Sequence, residues 1–239
     1  MVKRIRIVVV LLCASLLLLA GCNSTSKKDA PVQGQSFDIK NLVKSDVDMV
    51  AEVHLGLALK YLEALTEKLY RRNPREWRKG GQLSVEVAVA SIFGEARPLS
   101  FKALKGQRSI HAMRLAFDES YAGDRVLALM EGLRGMLLDS YNGKQEFYLL
   151  DELDPQKLHN AARNVEIAVW KLSSDRNAEG RLFLLSNEMN GSVRNLSFER
   201  LFGKIMALQD SMAQIVADAT NRRIKNVIQS VASSVFIGI

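Results

Sequence analysis

The feature that most constrains the fold is the stretch of residues 197–236, which has no proline and one glycine, Gly203. Its apolar residues recur every three or four positions, the spacing of one helix face. A helix of this length would extend about 57 Å, longer than a compact domain of this size, so we expect a kink, a turn near Asn221 to Arg223, or an overhang. The stripe consists of Phe198, Leu201, Phe202, Ile205, Leu208, Met212, Ile215, Val216, Ala219, Val227, Val231 and Val235.

Three further segments, residues 45–72, 124–141 and 154–172, carry apolar residues at helical spacing. Ser45 is placed to cap the first segment, and Pro155 stands at the first helical position of the third. Short connections join these helices to one another. The sequence therefore predicts a mainly α protein, folded as a helical bundle.

Two points of the architecture stay open in the sequence. Residues 82–93 alternate as a short β element would, although Ser84 as a cap and Gly94 as a stop favour a short helix, which is the interpretation we adopt. Asn-Pro and Asp-Pro pairs at two helix boundaries resemble the ends of tetratricopeptide units. A helical-repeat solenoid is therefore the alternative fold, although no self-similarity of the required period is visible.

Gly132 and Gly135 lie inside a predicted helix and indicate close packing of a neighbouring helix.

The first residues have the organisation of an export signal. Three Lys or Arg residues precede residues 7–19, which are apolar except for one serine. This run is shorter than the roughly 20 apolar residues that a membrane-spanning helix needs, and it has the proportions of a secretory signal. It ends in Leu19-Ala20-Gly21-Cys22. That tetrapeptide resembles the lipobox of bacterial lipoproteins.

The resemblance implies that Cys22 receives a diacylglycerol thioether, that the signal is cut before it, and that the new amino group can be acylated, for example with palmitate. Each buried methylene contributes about 0.8 kcal/mol, so two or three chains hold the protein firmly in a bilayer. Asn23 is not the aspartate that retains enteric lipoproteins in the inner membrane, so we expect the outer membrane, facing the periplasm. We divide the chain into a signal peptide (1–21), a lipidated flexible tether (22–44) and one helical domain (45–239).

Cysteine content and charge exclude several functions under this interpretation. Cys13 lies in the signal and Cys22 is the lipid acceptor, so no thiol remains for disulfides, thiolate catalysis or zinc. Loss of the signal lowers the 33 basic residues to 30 against 26 acidic ones, and the net charge from +7 to +4. We expect no nucleic-acid partner in the cell envelope.

No arrangement of residues predicts catalysis or a cofactor. His54, His111 and His159 are each isolated, without the spacing of a metal site, and no nucleophile elbow or phosphate-binding loop occurs. Neighbouring acids such as Asp118 and Glu119 are typical of solvated faces and helix caps. We expect a protein that is not an enzyme and that holds neither a cofactor nor a metal ion.

The stretch that most suggests a binding site is residues 70–79, YRRNPREWRK, in which five basic residues accompany one acidic residue. Arginine suits phosphate, and tryptophan suits a membrane interface. The alternative is a basic helix end that complements the helix dipole, with Trp77 packed inward. The candidate patch for an anionic ligand consists of Arg71, Arg72, Arg75, Trp77, Arg78 and Lys79.

The carboxy end, VIQSVASSVFIGI (227–239), is apolar and too short to span a bilayer. We expect it to pack into the core, or else to dock a partner.

Together these features predict a membrane-anchored envelope lipoprotein that serves as a scaffold, assembly factor or adaptor through contacts with an envelope protein. The alternative is an envelope module that binds anionic lipid or lipopolysaccharide through the basic patch.

Overall fold

The computed structural model describes residues 44–149, 151–188 and 195–235, with side chains as far as Asn221. The predicted signal peptide, the lipid acceptor Cys22 and the tether up to residue 43 lie outside these residues, as do the side chains of residues 227–235 and all of residues 236–239.

The described residues form seven α-helices and one short 3-10 helix. They are α1 (Asp46–Arg72), α2 (Pro74–Lys79), α3 (Val85–Phe93), the 3-10 helix (Lys102–Leu104), α4 (Ser109–Leu115), α5 (Arg125–Ser140), α6 (Pro155–Ser174) and α7 (Ser197–Val235). Only isolated antiparallel bridges occur in the described chain, at Arg176–Leu182 and Glu188–Asn195. The prediction of a mainly α fold is confirmed.

Local capping fixes where α1 begins. The Ser45 side chain accepts a hydrogen bond from the Asp48 backbone N–H, and Asp48 accepts one from the Ser45 N–H at 2.7 Å. This reciprocal arrangement satisfies two backbone donors that have no partner inside the helix. At the other end of α1, Arg71 and Arg72 lie in the last turn, where positive charge complements the helix dipole.

Residues 82–93 contain a helix, α3, and the possible β element is absent there. The Ser84 side chain accepts a hydrogen bond from the Val87 N–H at 3.2 Å and caps the helix, which Gly94 ends. Ala88 and Ile92, four residues apart, are buried against the core. Leu83, an apolar member of the alternating pattern, is 88% exposed, so the alternation does not correspond to a buried face.

Helix α5 lies at the centre of the bundle. Five successive residues in it are buried: Val126, Leu127, Ala128, Leu129 and Met130. It packs against α1, α4, α6 and the short helix α2, and α7 packs against α1 and α6. The described helices pack around a main core cluster and a second, smaller cluster between α1, α6 and α7, which is the bundle architecture rather than the solenoid alternative.

The predicted close packing at Gly132 is confirmed where α4 crosses α5. A Cβ atom on Gly132 would lie 2.6 Å from Met113 Cγ, 2.7 Å from the Met113 backbone N and 2.8 Å from the Ser109 carbonyl oxygen. Gly135 approaches Ser109 as well, with 3.2 Å between its virtual Cβ and Ser109 Oγ. Only glycine lets the two backbones come this close.

The last helix, α7, is continuous. A turn between two helices was one of the alternatives that the sequence left open. Helical structure runs without interruption from Ser197 to Val235, so the predicted turn near residues 221–223 is wrong. Among the described side chains, burial ends at Val216, and Asp218 and Thr220 are exposed. The helix therefore extends beyond its last described core residue, as the overhang alternative requires. No described helix combines the length and apolarity needed to cross a membrane.

Candidate functional site

The basic residues predicted to form one patch divide between two helices. Arg71 and Arg72 end α1, and Arg75, Arg78 and Lys79 lie on α2. Between them, the Asn73 backbone N–H donates to the Leu69 carbonyl, and Pro74 begins the next helix because its missing N–H is not needed at the first position.

Three of these cations already contact carboxylates. Arg71 contacts Glu67 at 2.8 Å and Glu86 at 3.4 Å, both on the surface. Arg72 forms an ion pair with Glu188, and Lys79 contacts Glu76 at 2.7 Å. The stretch is therefore not a uniform surface of unpaired charge.

Trp77 does not extend into solvent as a membrane anchor would. Its ring is half-buried and packs against the main core cluster, and its Nε1 atom is buried without a hydrogen-bond partner among the described residues. The Arg78 guanidinium lies 4.8 Å from the ring centroid, in cation–π geometry. Trp77 therefore agrees with the alternative interpretation of residues 70–79, in which this residue packs inward.

The structure brings a distant segment, residues 176–185, against α2. The Asn73 side chain holds it: its Nδ2 atom donates to the Leu185 carbonyl and its Oδ1 atom accepts from the Leu185 N–H, both at 2.8 Å. Phe183 adds a second contact, because the Arg125 guanidinium lies 4.8 Å from its ring centroid. A side-chain amide thus pairs with the backbone much as a neighbouring strand would.

Between this segment and α2 lies a cleft of about 720 Å³, which we call the basic groove. Two carboxylates, Glu76 and Glu119, also line it. Its six cationic lining residues are Arg72, Arg75, Lys79, Arg125, Arg176 and Arg181. The groove contains three members of the sequence-predicted patch and excludes Arg71, Trp77 and Arg78.

Arg125 ties the groove to the bundle. Its Nη1 atom donates to the carbonyl oxygens of Ala116 at 2.9 Å and Asp118 at 2.8 Å, just beyond the end of α4. Its backbone N–H donates to Glu76 Oε2 at 2.8 Å. Arg125 therefore helps to hold the groove together, and its main contribution to binding an anion would be its positive charge.

Two buried acids lie where α2 meets the start of α5. Glu76 accepts from Lys79 and from the Arg125 backbone, and Asp124 accepts from the Tyr70 hydroxyl and from the Leu127 N–H, both at 2.9 Å. Burial raises the pKa of Asp124 to about 6, opposed by its hydrogen bonds and assisted by the charge of Glu76. Burial likewise raises the pKa of Tyr70, with the Asp124 charge as the next contribution.

The histidines do not assemble into a site. His54 is half-buried beside α7, and burial lowers its pKa, opposed by a hydrogen bond to the Leu208 backbone. His159 approaches Asp210 at 3.5 Å on the surface. No group of three or more metal-ligating side chains occurs among the described residues.

A second cleft, of about 530 Å³, lies between α4 and α6, and we call it the apolar groove. Ile110, Met113, Phe117 and Ile167 supply much of its lining. Ile167 is 52% exposed, and Trp170, one helical turn further along α6, is 63% exposed. Large apolar side chains that stay in solvent next to a groove are typical of protein contact surfaces.

No family model, curated protein or solved structure matches this chain.

The sequence did not indicate Arg125, Arg176 and Arg181 as partners of α2, because they lie about 50 to 110 positions away. One local signal was available. The Asn177 side chain accepts from the backbone N–H groups of Glu179 and Arg181 in an Asx turn, and this turn holds Arg176 and Arg181 close together.

Proposed function

We propose that this chain is a lipid-anchored envelope protein without enzymatic activity, which acts as a scaffold, assembly factor or adaptor through protein contacts. The lipobox resemblance at Cys22 supports the anchor and a location in the bacterial cell envelope. Asn23, in place of the aspartate that retains enteric lipoproteins in the inner membrane, supports the outer membrane, facing the periplasm. The single observation that favours protein contacts is the apolar groove between α4 and α6, beside the exposed Trp170.

A groove between two helices suits the apolar face of a third helix. We therefore propose that the partner is a second envelope protein that presents an amphipathic helix. Arg114, Lys171 and one carboxylate, Asp118, also line the groove, and Lys171 already pairs with Asp175. An acidic residue of the partner helix is therefore expected opposite Arg114. Such a contact would bury the parts of Ile167 and Trp170 that are now exposed.

The test is site-specific photocrosslinking in intact cells. A photoreactive residue at Ile167 should give one discrete crosslinked species, and Trp170→Ala should weaken it. The matched control is a photoreactive residue at Glu63, an exposed position on α1, which should give no such species. Equal crosslinking at both positions, or no effect of Trp170→Ala, would contradict the proposal.

The second candidate function is an envelope module that binds anionic lipid or lipopolysaccharide. The observation that favours it is the basic groove, in which cations from α1, α2, α5 and residues 176–181 line one cleft. The lipid anchor would hold this groove near a membrane surface that carries phosphate groups.

A further inference from the structure

We infer that the basic groove is a binding site for a phosphate group, either on a lipid headgroup or on a small soluble phosphate compound. This inference rests on the second candidate function and is independent of the apolar groove. The proposed site differs from the continuous stretch of residues 70–79, because it is built from three separate parts of the chain.

The charge balance of the groove favours an anion. The lining has six cations and two carboxylates, a formal excess of four positive charges. Glu188, which pairs with Arg72, and Glu179, which pairs with Arg181, lower that excess to two. A bound group carrying one to two negative charges would neutralise what remains.

The carboxylates of the lining are already engaged and do not compete for the open cations. Glu76 is 7% exposed, and its two oxygens accept from Lys79 and from the Arg125 backbone. Glu119 accepts from the Ala178 N–H at 3.2 Å and so helps to hold residues 176–185 in place. The acids of the groove therefore build the site and leave hydrogen-bond donors unused.

Several donors of the groove have no acceptor among the described residues. Arg75 is exposed, and no described carboxylate pairs with it. Arg72 uses its Nη2 atom for Glu188, and its Nε atom is buried and so is not available to a ligand. Arg176 uses its Nη1 atom for the Gly180 carbonyl at 3.0 Å. Each arginine carries five N–H donors, so most of them are unused.

Phosphate matches these donors better than a carboxylate does. Five of the six cations are arginines, whose planar forks bind two oxygens at once. A carboxylate presents two oxygens in one plane and a single negative charge. A phosphate group presents more oxygens and more charge, so it can contact arginines from both walls of the groove together.

A second arginine cluster elsewhere in the bundle lacks this excess. Arg97, Arg108 and Arg134 line a cleft of about 540 Å³, together with Glu131 and Asp139. Arg97 contacts Glu131 at 2.5 Å. Three cations against two acids leave one positive charge, so this cleft is a weaker candidate than the basic groove.

The test uses the full chain in neutral detergent micelles and three probes: inorganic phosphate, glycerol 3-phosphate, and short-chain phosphatidylglycerol, with short-chain phosphatidylcholine as the reference lipid. Calorimetry measures binding of every probe, so the lipid anchor, which stays in the micelle, does not contribute to the signal. The double variant Arg75→Gln/Arg181→Gln should weaken binding about tenfold, because each lost charge-assisted hydrogen bond is among the stronger ones. Weakening with inorganic phosphate or glycerol 3-phosphate identifies a free phosphate compound as a ligand, and weakening with short-chain phosphatidylglycerol alone identifies the lipid headgroup.

The matched control is Arg71→Gln/Arg78→Gln, which removes the same charge from the predicted patch but outside the groove. It should change binding by less than about twofold, with an unchanged melting temperature in both double variants. Equal weakening by the two double variants would overturn the groove as the site and leave the second candidate function standing. If the unmodified chain binds none of the probes, both are overturned.

Discussion

The crossing of α4 over α5 and the basic groove are held together in opposite ways. At the crossing, the two backbones touch, and no atom can be added to Gly132 without meeting Met113 or Ser109. At the groove, the walls are joined by the Asn73 side chain and by ion pairs, and arginine donors stay unused. The comparison indicates that the crossing stabilises the fold, whereas the groove has hydrogen-bond donors that a ligand could use.

The largest expected effect is at the crossing. Gly132→Ala should lower the free energy of unfolding by about 3 kcal/mol, because the new methyl group meets backbone atoms that cannot move aside. Gly56→Ala is the matched control: Gly56 lies in α1 with nothing within 4 Å of its virtual Cβ, so alanine should stabilise the protein by about 0.5–1 kcal/mol. Urea unfolding measures both, and equal stability of the two variants would show that the crossing is looser than described.

A pH effect of similar size is expected beside the groove. The folded protein holds the Asp124 proton more tightly than the unfolded chain does, because burial raises the pKa of Asp124 from 3.8 to about 6. Its contribution to stability is therefore complete below about pH 4, falls as the pH rises, and is lost above about pH 6. A shift of about two units corresponds to about 3 kcal/mol.

Asp124→Asn tests that contribution. Asparagine keeps an oxygen for the Leu127 N–H but does not titrate. The free energy of unfolding of the unmodified protein should therefore fall relative to that of the variant as the pH rises through this window. Urea unfolding at several pH values measures the difference. A constant difference from about pH 4 to about pH 7 would mean that Asp124 titrates normally.

A smaller and local effect is expected at the wall of the groove. Asn73→Ala removes both hydrogen bonds to Leu185 and should make opening of that segment easier by about 2 kcal/mol. The Leu185 amide should then exchange with solvent roughly thirtyfold faster. Exchange of the Leu129 amide in α5 serves as the control and should not change. Equal acceleration at both amides would indicate global destabilisation instead.

The smallest effect is expected at the surface ion pairs of α1. Arg71→Gln removes contacts with Glu67 and Glu86, but all three side chains are about half exposed or more. Such pairs contribute little in water, so the free energy of unfolding should fall by less than about 0.5 kcal/mol. A loss above about 1 kcal/mol in urea unfolding would show that this end of α1 supports the groove more than its contacts indicate.

Elements with local signals were predictable from the sequence. Helices α1 and α6 begin at Ser45 and Asp154 caps, as predicted. Their apolar spacing corresponds to a buried face only in part, because Val53 of α1 and Trp170 of α6 are exposed. Helix α4 gave only weak periodicity. It is seven residues long, and its first residue, Ser109, has a left-handed backbone (φ 46°) next to Gly135, which is a tertiary constraint.

The candidate site was predictable only in part. The sequence indicated Arg72, Arg75 and Lys79 because they are adjacent, and it grouped Arg71 and Arg78 with them for the same reason. Adjacency could not show which side chains face the same cleft. The opposite wall depends on the fold of the connection after α6, which nothing near residue 75 encodes.

The central claim is that a lipid on Cys22 ties this bundle to a bacterial envelope membrane, and mass spectrometry of the native protein tests it most directly. The account predicts an amino-terminal peptide that begins at Cys22 and carries a diacylglycerol group and an acylated amine. An unmodified amino terminus would contradict the claim. So would a Cys22→Ala protein that is still processed and still bound to the membrane.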